Sequence, residues 1–167
     1  MPGMWWVLGV VVAVVLVTAY LIWIASRVDR MHARVRSATR ALDAHLLRRA
    51  AAAAVLAEER YALELYAASR IALDAEGDER EAAENDLTRQ LRSSVLDPEE
   101  PVAAAVIGAS RRLALARQVH TDLVRDALSL RRRPVVRLFR MSRKHERPRY
   151  FDIDDPTLNS RPELSVG

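Results

Sequence analysis

Residues 4 to 25 read MWWVLGVVVAVVLVTAYLIWIA, a run of 22 residues without a charged side chain. As a helix the run spans about 33 Å, enough for a hydrocarbon core about 30 Å thick. A soluble core helix rarely sustains that length. A secretory signal needs a basic leader, a shorter apolar stretch and a small-residue cleavage site. Residues 1 to 4 carry no basic side chain, and Tyr20, Ile22 and Trp23 crowd the exit. The run therefore reads as a retained transmembrane anchor, with residues 1-26 as its domain. Trp5 and Trp6 at one end and Tyr20 and Trp23 near the other fall where amphipathic rings favour the membrane interface. Only an internally satisfied backbone survives in lipid, so the valine-rich middle reads as helix despite valine's modest propensity in water.

The flanks set an orientation. No Lys or Arg precedes the run, whereas Arg27, Arg30, Arg34, Arg36 and Arg40 follow it. The positive-inside rule then places the C-terminal side in the cytoplasm, with the N-terminus outside the cell membrane. The absence of cysteine is compatible with a reducing compartment and excludes a disulfide framework or a thiolate metal site.

Some 140 residues remain after the anchor, enough for one modest domain. Their richness in Ala, Leu, Arg and Glu, with no alternating β-branched run, points to helices and against a sheet. No Pro or Gly interrupts the chain between Gly9 and Gly77, and apolar residues near helical spacing predict a first cytosolic helix over residues 28 to 74. Gly77 suits a helix C-cap, and Asp78 with Glu81 three residues later resembles a capping box opening a second, short helix that ends near Val95. Asp97-Pro98-Glu99-Glu100-Pro101 predicts the start of a third helix. That helix carries Val106, Ala109, Leu113, Ala116, His120, Leu123, Ala127 and Leu130 at alternating spacings of three and four, a coiled-coil-like seam. The expected architecture is all-α, a single N-terminal transmembrane helix continuing into an antiparallel helical bundle of about three long helices. The bundle is assigned to residues 27-141. Residues 142-167 read as a basic-then-acidic, disordered or extended tail.

The segment from 131 to 149 is basic and interleaved with Val135, Val136, Leu138, Phe139 and Met141. Arg131, Arg132, Arg133, Arg137, Arg140, Arg143 and Lys144 are its candidate contacts to anionic lipid, and the same apolar residues equally suit packing on the bundle. Nucleic acid is a poor fit for an anchored chain with a net charge of +4 and no binding motif.

Several short motifs resemble the LemA family. Val35, Ala38, Leu42-Asp43, Leu46 and Arg48-Arg49 are similar to the family's opening helix, and Glu84-Asn85 with Leu87 and Leu91 to its Glu-Asn-x-Leu helix. Ala116-Arg117-Gln118, then Asp122 and Val124-Arg125-Asp126, with Pro134, Leu138-Phe139 and Tyr150-Phe151 downstream, match in order and spacing. The sequence departs from the pattern at the alanines of positions 50 to 54, where the family carries an Asp-Leu-Ile-Pro-Asn-like run, and at Thr39, where it carries Trp. The resemblance, to a divergent member, implies an antiparallel bundle on an N-terminal membrane helix with no established enzymatic chemistry. Within it Arg48, Arg49, Glu84, Asn85, Arg117, Gln118, Asp122, Arg125 and Asp126 are candidates for a polar network between helices or for partner contacts.

The sequence offers no phosphate loop, no nucleophile beside a histidine and no metal-ligand spacing. The expectation is a protein without catalytic activity or cofactor: a protein-interaction scaffold with an unknown protein partner at the inner face of the bilayer. The alternative is a peripheral lipid-surface module using residues 131 to 149. Self-association into a homo-oligomer is compatible with either. His120, alone on its seam, reads as a packed or boundary histidine before a pH sensor or metal ligand.

Overall fold

The computed structural model describes residues 3 to 139 and 146 to 158 of the chain, without the side chain of Arg137. Arg140, Arg143 and Lys144 lie outside the described residues. Among the described residues five helices follow in order: α1 (Gly3–Glu59), α2 (Leu63–Asp74), α3 (Glu79–Ser93), α4 (Pro101–Arg131) and α5 (Pro134–Leu138). No strand occurs among the described residues, so the protein is all-helical with one long apolar N-terminal helix.

Helix α1 passes through Ser26 and Arg27 without a break. Its hydroxyls bond back into the helix, Thr18 Oγ1 to the Val14 carbonyl at 2.8 Å and Ser26 Oγ to the Ile22 carbonyl at 3.0 Å. The apolar window near its start is only 6% buried, so almost all of these side chains are exposed among the described residues.

The helix expected over residues 28 to 74 is divided at 60 to 62. The Ala62 N–H donates to the Ala57 carbonyl at 2.9 Å and the Tyr61 N–H to the Glu58 carbonyl at 3.3 Å, with Tyr61 at φ 55°. This is a Schellman ending, and its left-handed position holds a tyrosine where glycine is usual. Lacking Gly or Asn, the stop has no sequence signature.

The next boundary also differs from expectation. Asp78 adopts right-handed helical geometry and its side chain makes no capping bond, so no capping box forms. Gly77, at φ 56°, sits in the turn that closes through the Glu79 N–H on the Glu76 carbonyl, and not at the cap of α2, which is Ala75. Before α4, the Asp97 carboxylate accepts the Glu99 N–H at 2.9 Å and orders the turn, so the helix starts four residues later than Asp97.

The chain divides into two compact units. The first comprises Met1–Arg36 and Leu123–Arg149. There Ile24 and Val28 pack with Leu130 and Val136, and Val35 with Val124 and Ala127. The second comprises Ser37–Asp122 and Tyr150–Gly167. Its main core joins Ala50, Ala53, Leu56 and Ala57 of α1, Leu65, Ala68 and Ala72 of α2, Leu87 and Leu91 of α3, and Ala103, Val106 and Ile107 of α4. The alanines allow the helix backbones to approach closely. A second cluster sets Leu42, Leu46 and Leu113 around Ile153. Residues 150 to 158, polar enough by composition to read as a solvated tail, run extended and bury Ile153, Pro156 and Leu158.

Candidate functional site

The most unusual chemistry in the chain lies inside the second unit, where Arg49 of α1 meets Glu84 and Thr88 of α3. The helix repeat aligns Leu42, Leu46, Arg49, Ala50 and Ala53 on the buried side of α1, so the guanidinium enters the core with its apolar neighbours. On α3, Glu84 and Thr88 stand four apart beside Leu87 and Leu91, on the same buried face. Arg49 Nη2 donates to Thr88 Oγ1, and that hydroxyl donates to the Glu84 carbonyl at 2.8 Å. Arg49 Nη1 and Glu84 Oε2 are 3.8 Å apart, close enough for Coulomb attraction and too far for a hydrogen bond. Both Glu84 carboxylate oxygens, and Nε and Nη1 of Arg49, are buried without a hydrogen-bond partner among the described residues.

Burial disfavours both charges. It raises the Glu84 carboxyl to about 7 against the pull of Arg49, and it lowers the Arg49 guanidinium despite Glu84. Glu84 therefore exchanges its proton near neutrality. The pair is closed to solvent and joins α1 to α3. No group of three metal-ligating side chains gathers among the described residues.

A second polar row ties the extended segment to α3. Glu81 Oε1 accepts the Asp152 N–H at 3.1 Å, Asn85 Oδ1 accepts the Asp154 N–H at 2.7 Å, and Arg92 Nη2 donates to the Asp155 carbonyl at 2.6 Å. Asp155 is held below the usual carboxylate range, first by the Thr157 N–H and then by the Thr157 side chain. Arg80 joins α3 to α1 through Asp43 at 3.1 Å, and Arg60 bridges the Val95 carbonyl and the Glu100 carboxylate.

The nine candidate network residues thus separate. Arg49 and Glu84 meet, and Asn85 holds the extended segment. Arg48, Gln118, Asp122, Arg125 and Asp126 are exposed, and Arg117 is half-buried on α4. Thr88, Arg92 and Arg60 carry no sequence motif of this kind, and Glu81, expected in a capping box with Asp78, instead accepts the Asp152 N–H. Thr88 had one available signal, its place four residues after Glu84.

His120 is buried, Nδ1 has no partner among the described residues, and burial lowers its pKa while Asp43 opposes the shift. In the first unit, His32 donates from Nδ1 to the Val28 carbonyl at 2.8 Å, leaving Nε2 3.5 Å from Arg131 Nη1. Arg131 Nη1 also donates to the Glu146 carbonyl at 3.1 Å, while Arg132 and Arg133 are exposed. Of the apolar residues interleaved there, Val136 is buried on Ile24 and Val28, and Leu138 and Phe139 are exposed.

At the candidate membrane span, Trp5, Trp6, Tyr20 and Trp23 are all exposed. Tyr20 and Trp23 stack with ring centroids 6.4 Å apart, and the Arg27 guanidinium lies 5.7 Å from the Trp23 centroid. This arrangement suits the boundary where hydrocarbon gives way to headgroups. No protein family, curated protein or solved structure matches the chain.

Proposed function

We propose that this chain is a membrane-anchored helical protein without catalytic activity that holds partner proteins at the cytoplasmic face of the cell membrane. The observation that carries the reading is the apolar start of α1, long enough to cross a bilayer and almost wholly exposed among the described residues. In water that much exposed apolar surface is unfavourable, and in lipid it is required. The exposed arginines 27, 30, 34, 36 and 40 after it support the orientation. The resemblance to LemA-type proteins supports the same architecture. So does the packing in the second unit, where residues 50 to 57 share a core with residues 103 to 107 while Leu42 and Leu46 meet Leu113, the order of an antiparallel pair. The sealed position of Arg49 and Glu84 favours a structural role for the charges the fold brings together.

The test has two parts, alkaline extraction of membranes and crosslinking in intact cells, each run on the full chain and on a version lacking residues 1 to 26. The full chain should resist extraction and crosslink a reproducible set of proteins that the shortened chain loses. Extraction of the full chain, or no reproducible crosslink to either, contradicts the reading. A second reading, a lipid-surface role for residues 131 to 149, is favoured by exposed Leu138 and Phe139 following exposed Arg132 and Arg133. Co-sedimentation with anionic vesicles separates the two, because lipid binding falls with added salt and disappears on neutral vesicles.

A further inference from the structure

The turn between α1 and α2 and the loop between α3 and α4 meet at one end of the second unit, joined by Arg60, which donates to the Val95 carbonyl at 2.6 Å and pairs with Glu100. Around this clamp three large apolar side chains face solvent: Tyr61 at 90%, Leu63 at 82% and Val95 at 85% exposure. None contributes to the cores of its own unit. Tyr61 occupies the left-handed position of the Schellman turn, an unfavourable conformation for an aromatic residue that places the ring outside the fold.

The surroundings are acidic. Glu58, Glu59, Glu64, Asp97 and Glu99 are exposed on the same two connections and their flanking turns. The dipoles of α2 and α4 account for Glu64 and Glu99, which sit at helix starts. They do not account for Glu58 and Glu59, which close α1 at its C-terminal end, where the dipole opposes negative charge. Two carboxylates placed against their own helix, beside three unburied apolar residues, describe a surface whose stabilising contacts are external.

We infer that this tip is a docking surface for a basic, amphipathic protein segment, with Tyr61, Leu63 and Val95 receiving its apolar side chains and the carboxylates around them its Arg or Lys groups. Charge complementarity selects this occupant. An anionic bilayer repels the carboxylate ring, and two tips face to face set like charges against each other. A cation over the Tyr61 ring gains further attraction. The inference rests on the reading of the chain as an interaction protein and names the chemistry of its partner.

The test uses the full chain in neutral nanodiscs and a labelled synthetic helical peptide carrying Arg on one face and Leu and Phe on the other, read by fluorescence anisotropy. The peptide should bind, and binding should weaken by about tenfold or more in Leu63→Ser/Val95→Ser, a loss typical of buried interface anchors. Glu58→Gln/Glu59→Gln should weaken binding and flatten its salt dependence, whereas Glu76→Gln/Glu79→Gln, which removes equal charge elsewhere, should not. Replacing the peptide's Arg by Glu, or its Leu and Phe by Ser, should abolish binding. Equal affinity for wild type and Leu63→Ser/Val95→Ser, equal effects of the two charge pairs, or self-association through the tip without peptide binding would each overturn the inference. If Leu63→Ser/Val95→Ser retains the crosslinked proteins of the intact cell, the tip assignment fails and the scaffold reading stands; if the wild type crosslinks nothing, the scaffold reading itself fails.

Discussion

Arg49 Nη1 and Glu84 Oε2 face each other 3.8 Å apart in the core of the second unit, with both side chains withdrawn from solvent and most of their polar atoms unpartnered. A buried ion pair of this kind recovers little of its desolvation cost. Removing one partner alone leaves the other buried and uncompensated.

The pair makes stability depend on pH. Glu84 holds its proton to about 7 in the folded chain against an ordinary value of 4.5, so the folded state binds the proton more tightly than the unfolded one. Its contribution is complete below about pH 4.5 and is lost as pH rises through 7, a decline of about 3 kcal/mol at most. His120 slopes the other way, because its lowered pKa makes its contribution complete above about 6.5 and lost as pH falls. Urea denaturation of the detergent-solubilised chain, followed by helical circular dichroism, should show Glu84→Gln removing the decline above pH 5. A decline unchanged in Glu84→Gln assigns it to another group.

Arg49→Met removes the one nearby cation that most favours Glu84 ionisation, so the Glu84 carboxyl should rise further and the loss of stability toward pH 8 should steepen. The double variant Arg49→Met/Glu84→Leu replaces both charges with apolar groups. It should equal or exceed the wild type at pH 8 and show no slope from this site, in line with other buried pairs exchanged for hydrophobic residues. Additive losses in the double variant contradict the coupling.

Tyr61 at φ 55° should be improved by glycine. Tyr61→Gly relieves the left-handed penalty of about 1 kcal/mol and should raise the urea midpoint by a corresponding amount. A lower midpoint means the tyrosine makes a stabilising contact that its exposure does not suggest.

Ile153 is buried among Leu42, Leu46 and Leu113, and Asn85 holds the neighbouring Asp154 N–H. Ile153→Ala should cost about 2 to 5 kcal/mol, the range for a buried branched side chain cut to alanine. Asn85→Ala should accelerate amide exchange at Asp154 while leaving α1 protected. Unchanged stability in Ile153→Ala would show that this segment does not pack as described.

Much of the helical framework was readable because apolar periodicity is a local signal. The α4 seam is the clearest case: Val106, Ala109, Leu113, His120, Ala127 and Leu130 are buried, and Ala116 and Leu123 partly so. The break at 60 to 62 was not readable, since its left-handed residue is a tyrosine and its neighbours are good helix formers. Docking of residues 150 to 158 was equally hidden, because Ile153, Pro156 and Leu158 lie among aspartates without a repeat. Arg49 and Glu84 could be singled out by motif, but their meeting depends on tertiary register. Thr88, which shares Arg49 with Glu84, carries no motif.

The proposed topology, with α1 across the membrane, sets residue 3 outside the cell and residue 93 in the cytoplasm. A chain without cysteine permits a direct measurement, in which Gly3→Cys and Ser93→Cys, each a single cysteine, are challenged in intact cells with a membrane-impermeant maleimide. Gly3→Cys should label in intact cells and Ser93→Cys only after lysis. Labelling of Ser93→Cys in intact cells, or of neither before lysis, contradicts that topology.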